Sequence, residues 1–134
     1  KWARVQDGRV ASFRTVMTGE MFSLLKERSI LSDWLSGPVA PDEAFRAGVR
    51  RGLHGDALTA ELFSIRAGIL LGKLDKQGAA SFASGLLIGA DVRTGLQDAK
   101  DGMVYVMGRA DLTALYAAAL TEAGRQADQV DGEE

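Results

Sequence analysis

The run Phe13-Arg-Thr-Val-Met-Thr-Gly-Glu-Met-Phe-Ser-Leu-Leu25 constrains this chain more than any other stretch. It reads as a strand that stops at Thr18-Gly19-Glu20 and passes at once into a helix. The first amides of a helix have no partner within it, so such a turn aims N–H groups at whatever lies above it. A second passage of this kind stands at Met103-Val-Tyr-Val-Met-Gly-Arg-Ala-Asp111. Strands that feed helices directly imply an α/β fold.

Ahead of the first turn, Trp2 to Gln6 and Arg9 to Met17 form two strand-like runs joined by Asp7-Gly8. Asp-Gly tolerates the two positive φ angles of a type I′ turn, which predicts a hairpin. A two-residue loop would set Val5 opposite Val10 and Trp2 opposite Phe13. Between the turns, Met21, Leu24, Leu25, Arg28, Leu31 and Leu35 recur at helical spacing from Glu20 onward. Gly37-Pro38 and Pro41 mark a loop. Asp42 to Leu53 reads as a helix with Phe45, Val49 and Leu53 on one face, and Asp56 as the N-cap of the next. That next helix carries two apolar stripes. One is Leu58, Leu62, Ile65 and Ile69; the other is Phe63, Ala67, Leu70 and Leu74, which predicts burial around much of its girth.

Ser81 to Gly95 is a helix rich in small residues, and close helix–sheet packing explains Gly85 and Gly89 better than a ligand does. Met103 to Met107 reads as a strand, buried on both faces if it is central. Ala110 to Ala123 is the last helix, with Gly124 as its C-cap. From Gln126 the chain is polar and acidic, and fraying is expected. In order, the plan is a Lys1-Met17 hairpin, helices over Glu20-Gly95, a Met103-Met107 strand and an Ala110-Ala123 helix. The strands are too few for a doubly wound sheet. With a start in mid-strand, that leads us to expect a piece of a longer protein.

The chain has no Cys and one His, His54, so thiolate and multi-His metal sites are excluded from it. A formal net charge of −2 argues against nucleic acid and anionic membrane as partners. No apolar run approaches the ~20 residues that span a bilayer. Absence of Cys suits a cytoplasmic location. Neither GxxxxGK[ST] nor GxGxxG occurs. At the first turn, Gly19 could supply a tight turn, Thr18 a hydroxyl and Glu20 a carboxylate for a Mg²⁺-bound water or a substrate hydroxyl. Helix capping by Thr18 and Glu20 accounts for the same residues. At the second, Gly108 could open the backbone to a ligand and Arg109 offer a stacking or charged contact, but one Gly is a weak signal and an ordinary strand-to-helix turn is the better reading of the residues alone. His54 reads as a surface residue, and Arg50-Arg51 as a solvated helix end.

Several ordered blocks resemble the 2-dehydro-3-deoxygalactonokinase family. They are the Phe13–Leu25 run with Ser29-Ile30-Leu31, Phe45-Arg-Ala-Gly48 with Arg51-Gly52, Leu62-Phe-Ser-Ile-Arg-Ala67, Phe82-Ala-Ser-Gly-Leu-Leu-Ile-Gly-Ala90, and Val104-Tyr-Val-Met-Gly108 with Leu112-Thr-Ala-Leu-Tyr116. Lys1-Trp2 is similar to the tail of the family's Gly-Thr-His-Ser-Lys-Trp-type phosphate loop. The resemblance implies a kinase of the actin/hexokinase/Hsp70-like superfamily, with ATP and Mg²⁺ held between two α/β lobes. It implies transfer to the 6-hydroxyl of 2-dehydro-3-deoxy-D-galactonate in galactonate degradation.

On that resemblance the chain is the C-terminal ribonuclease-H-like (actin-like ATPase) lobe, helix-rich with a small mixed sheet. Its partners would be a sugar-acid substrate and a missing N-terminal lobe, and a homo-oligomer stays open. Nucleotide contacts fall to Thr18, Gly19, Glu20, Gly108, Arg109 and Asp111, with the two turns as lips of one cleft. The catalytic residues lie upstream of Lys1, and no residue here is assigned as a metal ligand. Arg109 departs from the small residue the family pattern leads one to expect. The alternatives are another actin-like-fold sugar kinase with a different small substrate, or a non-catalytic helical interaction domain.

Overall fold

In the computed structural model, residues 1–55 and 57–132 are described. The N-cap expected at Asp56 lies outside them, as do Glu133 and Glu134 at the acidic end. The elements in order are β1 (Trp2–Gln6), β2 (Arg9–Arg14), α1 (Thr18–Arg28), α2 (Glu43–His54), α3 (Leu58–Leu70), α4 (Ala79–Gln97), β3 (Val104–Gly108), α5 (Ala110–Glu122) and β4 (Ala127–Asp131). Single 3₁₀ turns at Ser32–Trp34 and Lys76–Gly78 lie in the connections before α2 and α4.

The helix α4 is the axis of the molecule, with twelve of its nineteen residues buried. It runs beside α2 in the same direction, and glycines line the seam. A Cβ on Gly85 would fall inside the Phe45 carbonyl and 2.9 Å from the Val49 nitrogen; one on Gly52 would lie 2.9 Å from the Ala90 nitrogen. Gly48 and Gly89 are as tightly held against opposing backbone. Each interior Gly costs a helix about 1 kcal/mol relative to Ala. Here the loss is offset by backbone-to-backbone contact that no side chain would permit. The small residues therefore serve packing, as expected, but against a helix rather than a sheet.

Two apolar clusters flank this axis. One joins Leu31, Leu35, Leu62, Ile65 and Ile69 to Ala79, Ala83, Leu86 and Leu87. The other joins Phe45 and Val49 of α2 to Ile88, Val92, Ala119 and Leu120, with Trp2, Val104 and Val106 packed at its edge. The start of α2 is pinned to the start of α4. The Asp42 side chain accepts from the Phe45 amide at 2.9 Å and from the Ser81 hydroxyl at 3.3 Å.

Several expectations need correction. The strands form two separate two-stranded ladders among the described residues, not one small mixed sheet. The hairpin turn is as expected, with φ of 52° at Asp7 and 71° at Gly8, and Val5 does face Val10. Beyond Arg4 the register slips by one, so Trp2 pairs with Arg14 and Phe13 with Ala3. The extra residue Ala11 makes a β-bulge, which a two-residue loop cannot forecast. The hairpin ends at Arg14 rather than Met17, and the helix after it begins at Thr18 rather than Glu20.

Of the second apolar stripe, Phe63, Ala67 and Leu70 face outward, while Leu74 lies beyond the end of α3 and packs against the first cluster. Phe63 is 56% and Leu70 66% exposed, while Leu62, Ile65 and Ile69 are buried. The helix is covered on one side only.

The segment after Gln126 is not frayed. β4 pairs in parallel with β3, from Val104↔Ala127 to Gly108↔Asp131. Parallel pairing needs a crossover, and α5 supplies it. Gly124, at φ 78°, ends α5: its N–H reaches the Thr121 carbonyl at 3.0 Å and the Arg125 N–H the Leu120 carbonyl at 2.9 Å. That double bond pattern is a Schellman cap, and it turns the chain back along β3. The strand at 104–108 is also not buried on both faces, since Tyr105 and Met107 are exposed.

The glycine seam yields a prediction. Gly85→Ala gains about 1 kcal/mol of helix propensity but drives a methyl group into the α2 backbone. We expect a net loss of about 2–3 kcal/mol in urea unfolding, in the range typical of overpacking. An unchanged or raised midpoint would show that the seam is looser than described.

Candidate functional site

Thr18, Gly19 and Glu20 form the first turn of α1, after an N-cap at Met17 that makes no side-chain cap bond. Capping by Thr18 or Glu20 is therefore not what these residues do. Gly19 and Glu20 are exposed. A Cβ on Gly19 would meet nothing within 4 Å, so the space over this backbone is open.

Gly108 closes β3 at φ 150°, a conformation that favours glycine, and a Cβ there would find only the Thr113 methyl at 3.9 Å. Arg109 is the N-cap of α5, again without a side-chain cap. Its guanidinium lies against Asp111, with Nε to Oδ1 at 3.3 Å and Nη2 to Oδ2 at 3.2 Å. Both side chains are largely exposed. The uncapped helix start is not peculiar to these two sites, because α3 and α4 lack a side-chain cap as well.

What links α1 to α5 is a residue that sequence reasoning passed over. Asp91, on α4, is only 6% exposed. Its Oδ2 accepts from the Thr18 hydroxyl at 2.8 Å and the Tyr116 hydroxyl at 2.6 Å, and its Oδ1 from the Trp2 indole at 2.6 Å. The hydroxyl expected to face a ligand from Thr18 is thus turned inward. Gly19 and Glu20 remain outward.

Tyr116 lies six residues into α5, so the helix start is about 9 Å along the axis from it at 1.5 Å per residue. The Trp2 ring meanwhile covers Gly95, where an added Cβ would fall inside the indole. A signal for Asp91 did exist: it is the only acid between Asp75 and Asp98, set among apolar and small residues. A charge inside an apolar run is the informative observation in such a stretch.

Two concavities lie elsewhere. One, of about 160 Å³, follows the seam between hairpin and α4, past Trp2, Phe13, Arg14, Gly95 and Asp98. The other is a shallow depression of about 430 Å³ beside Arg50, Arg51, His54 and Glu61. Its arginines are engaged, Arg50 with Glu43 at 2.5 Å and Arg51 with Glu61 at 2.5 Å. His54 is exposed, as expected. Neither concavity is lined by Thr18, Gly19, Glu20, Gly108, Arg109 or Asp111.

The arrangement is a helix-rich α/β unit with small sheets, and a solved structure shares its build. A crystal structure of a provisionally assigned 2-dehydro-3-deoxygalactonokinase from Sinorhizobium meliloti matches with a TM-score of 0.88 at 34% identity, over 97% of this chain and 45% of that one. The family model for 2-keto-3-deoxy-galactonokinase matches residues 1–134, so the chain belongs to that family. The 2-dehydro-3-deoxygalactonokinase of Escherichia coli (strain K12) is 36% identical over 135 residues, covering 99% of this chain and 46% of that protein. A Rhizobium meliloti (strain 1021) protein described as "Probable 2-dehydro-3-deoxygalactonokinase DgoK1" is 36% identical over 140 residues, covering 100% of this chain and 45% of its own length. The chain therefore spans about half the length of the curated relatives it matches.

The Asp91 cluster has a pH signature. Burial first, then the hydrogen bond to Asp91 and its negative charge, push the Tyr116 phenol well above its ordinary value of 10.0; the bond with Thr18 opposes them. The folded state thus holds this proton more tightly than the unfolded chain. The stabilisation is complete below the unfolded value and declines as pH rises above it. We expect Tyr116→Phe to cost about 1.5–3 kcal/mol at neutral pH, as for a hydrogen bond to a charged group. The gap to wild type should narrow in urea melts above about pH 10. A gap that stays constant or widens with alkali would contradict this account.

Proposed function

We propose that this chain is the C-terminal, nucleotide-holding lobe of an ATP-dependent kinase acting on the 6-hydroxyl of 2-dehydro-3-deoxy-D-galactonate. The observation that carries the reading is the family match along all 134 residues, together with relatives of that name about twice as long. The fold assigned on this reading is a ribonuclease-H-like lobe of the actin-like kind. The companion lobe, with the first phosphate loop, the catalytic base and most of the sugar-acid pocket, precedes Lys1.

The support for a nucleotide is local to each turn. A Cβ on Gly19 would meet nothing within 4 Å and one on Gly108 only the Thr113 methyl at 3.9 Å, and the α1 and α5 starts offer uncapped amides. Phosphate oxygens suit such amides through both hydrogen bonding and the helix dipole. Arg109 and Asp111 lie exposed at the second turn, where a guanidinium can stack on a base and a carboxylate can accept from ribose hydroxyls.

Bound Mg²⁺ would supply positive charge that offsets the charge building up during transfer. Among the described residues no group of three or more acidic, His or Cys side chains could hold a metal by itself. On this reading Glu20, exposed in the first turn of α1, would be the carboxylate that meets a metal-bound water, with the ion held mainly by phosphates. The exposed Phe13, Val5 and Val10 of the hairpin are apolar surface for the companion lobe to cover.

A coupled assay with ATP and the sugar acid tests this. The protein of the relatives' length should turn over, and residues 1–134 alone should not; turnover by the short chain overturns the lobe assignment. Phosphorylation of a different sugar acid in a substrate panel would replace the substrate and keep the class. In the longer protein, Gly19→Ala should raise the KM for ATP roughly tenfold, about 1.4 kcal/mol of binding, with the melting temperature unchanged. A wild-type KM in that variant removes the first turn from the nucleotide site.

A further inference from the structure

The buried carboxylate of Asp91 joins four elements that are distant in sequence. Its partners are 89, 73 and 25 residues away, in β1, α1 and α5, and it stands on the most buried helix. All three partners are neutral donors. A carboxylate held so is an expensive way to fill a core, since well-packed apolar groups in its place are often as stable or more so. What it adds is direction, because hydrogen bonds fix geometry where apolar contact does not. The two bonds to Oδ2 come from the two elements whose starts carry Gly19 and the residues after Gly108. With both taken by one oxygen, a shift of α5 is felt at Thr18.

We propose that Asp91 is a positioning residue: by accepting from Thr18 and Tyr116 on one oxygen, it sets the spacing between the α1 and α5 starts. It touches no substrate in this role. The inference rests on the kinase reading above, in which those two starts hold the nucleotide. Trp2, bonded to the other oxygen and lying over Gly95, ties the beginning of the chain to the same point. The upstream segment is thereby referenced to the carboxylate that orders the two turns.

The test uses the protein of the relatives' length and steady-state kinetics with ATP and the sugar acid varied separately. Asp91→Asn keeps the size and one acceptor but sets an N–H₂ against donors. Tyr116→Phe removes one bond and leaves the carboxylate. We expect the KM for ATP to rise about tenfold in Asp91→Asn and about threefold in Tyr116→Phe, with the sugar-acid KM within about twofold of wild type. A merely structural role would not divide the two KM values in this way. Variants that melt at lower temperature but keep both KM values, or raise both equally, overturn the proposal. If Asp91→Asn does not fold, the Tyr116→Phe split decides alone. Wild-type protein without ATP-dependent turnover instead overturns the kinase reading, and the inference with it.

Discussion

Backbone touches backbone where α2 meets α4, and the rest of the molecule follows from that approach. Gly48 and Gly52 face Gly85 and Gly89, and each has opposing main chain where a Cβ would stand. Contact this close cannot slide or rotate without collision, so the pair acts as one rigid body. It leaves α4 with two usable flanks. Leu86 and Leu87 serve the cluster built by α1, α3 and the connection to α2, while Ile88 and Val92 serve the one built by α5 and β3.

On this axis a single charge organises the periphery. Asp91 lies on α4 near the second cluster, and Trp2, Thr18 and Tyr116 converge on it. The hairpin illustrates why such a device is useful. Apart from Trp2, its strands are exposed at every position, so apolar burial alone would hold it loosely. The indole N–H fastens it to α4, and an exposed Arg14–Asp98 ion pair at 3.6 Å meets the C-cap of that helix. The same carboxylate governs α1, none of whose residues is fully buried. Elements that bind ligands are commonly drawn from weakly packed parts of a fold, and a directional anchor keeps such parts in place.

Local chemistry was legible in the sequence and tertiary partners were not. Asp7-Gly8 announced its turn and Gly124 its helix end, because each acts on its immediate neighbours; Asp42, read as the first helical residue, is instead the N-cap. The slip that moves Phe13 opposite Ala3 comes from one unpaired residue, Ala11, with no compositional mark. β4 was unreadable for a related reason: Asp128, Gln129 and Asp131 have poor strand propensity, and their pairing depends on β3 being delivered beside them by α5. Phe63 and Leu70 have the spacing of a buried stripe, yet no element of the described residues covers them. At the candidate site, Gly19, Gly108, Arg109 and Asp111 were singled out by their place after strands. Thr18 was singled out with them, but its hydroxyl points to Asp91 rather than outward. Asp91 itself matches no motif, and only its isolation among apolar residues distinguished it.

The central claim is that two helix starts, held on one rigid axis, share one nucleotide. Amide hydrogen exchange of the relatives'-length protein, with and without a non-hydrolysable ATP analogue, reads this most directly. The account predicts that bound nucleotide slows exchange in two separated windows, around Gly19 to Phe22 and around Arg109 to Thr113. Slowing in one window only, or in neither while the analogue is bound, would contradict it.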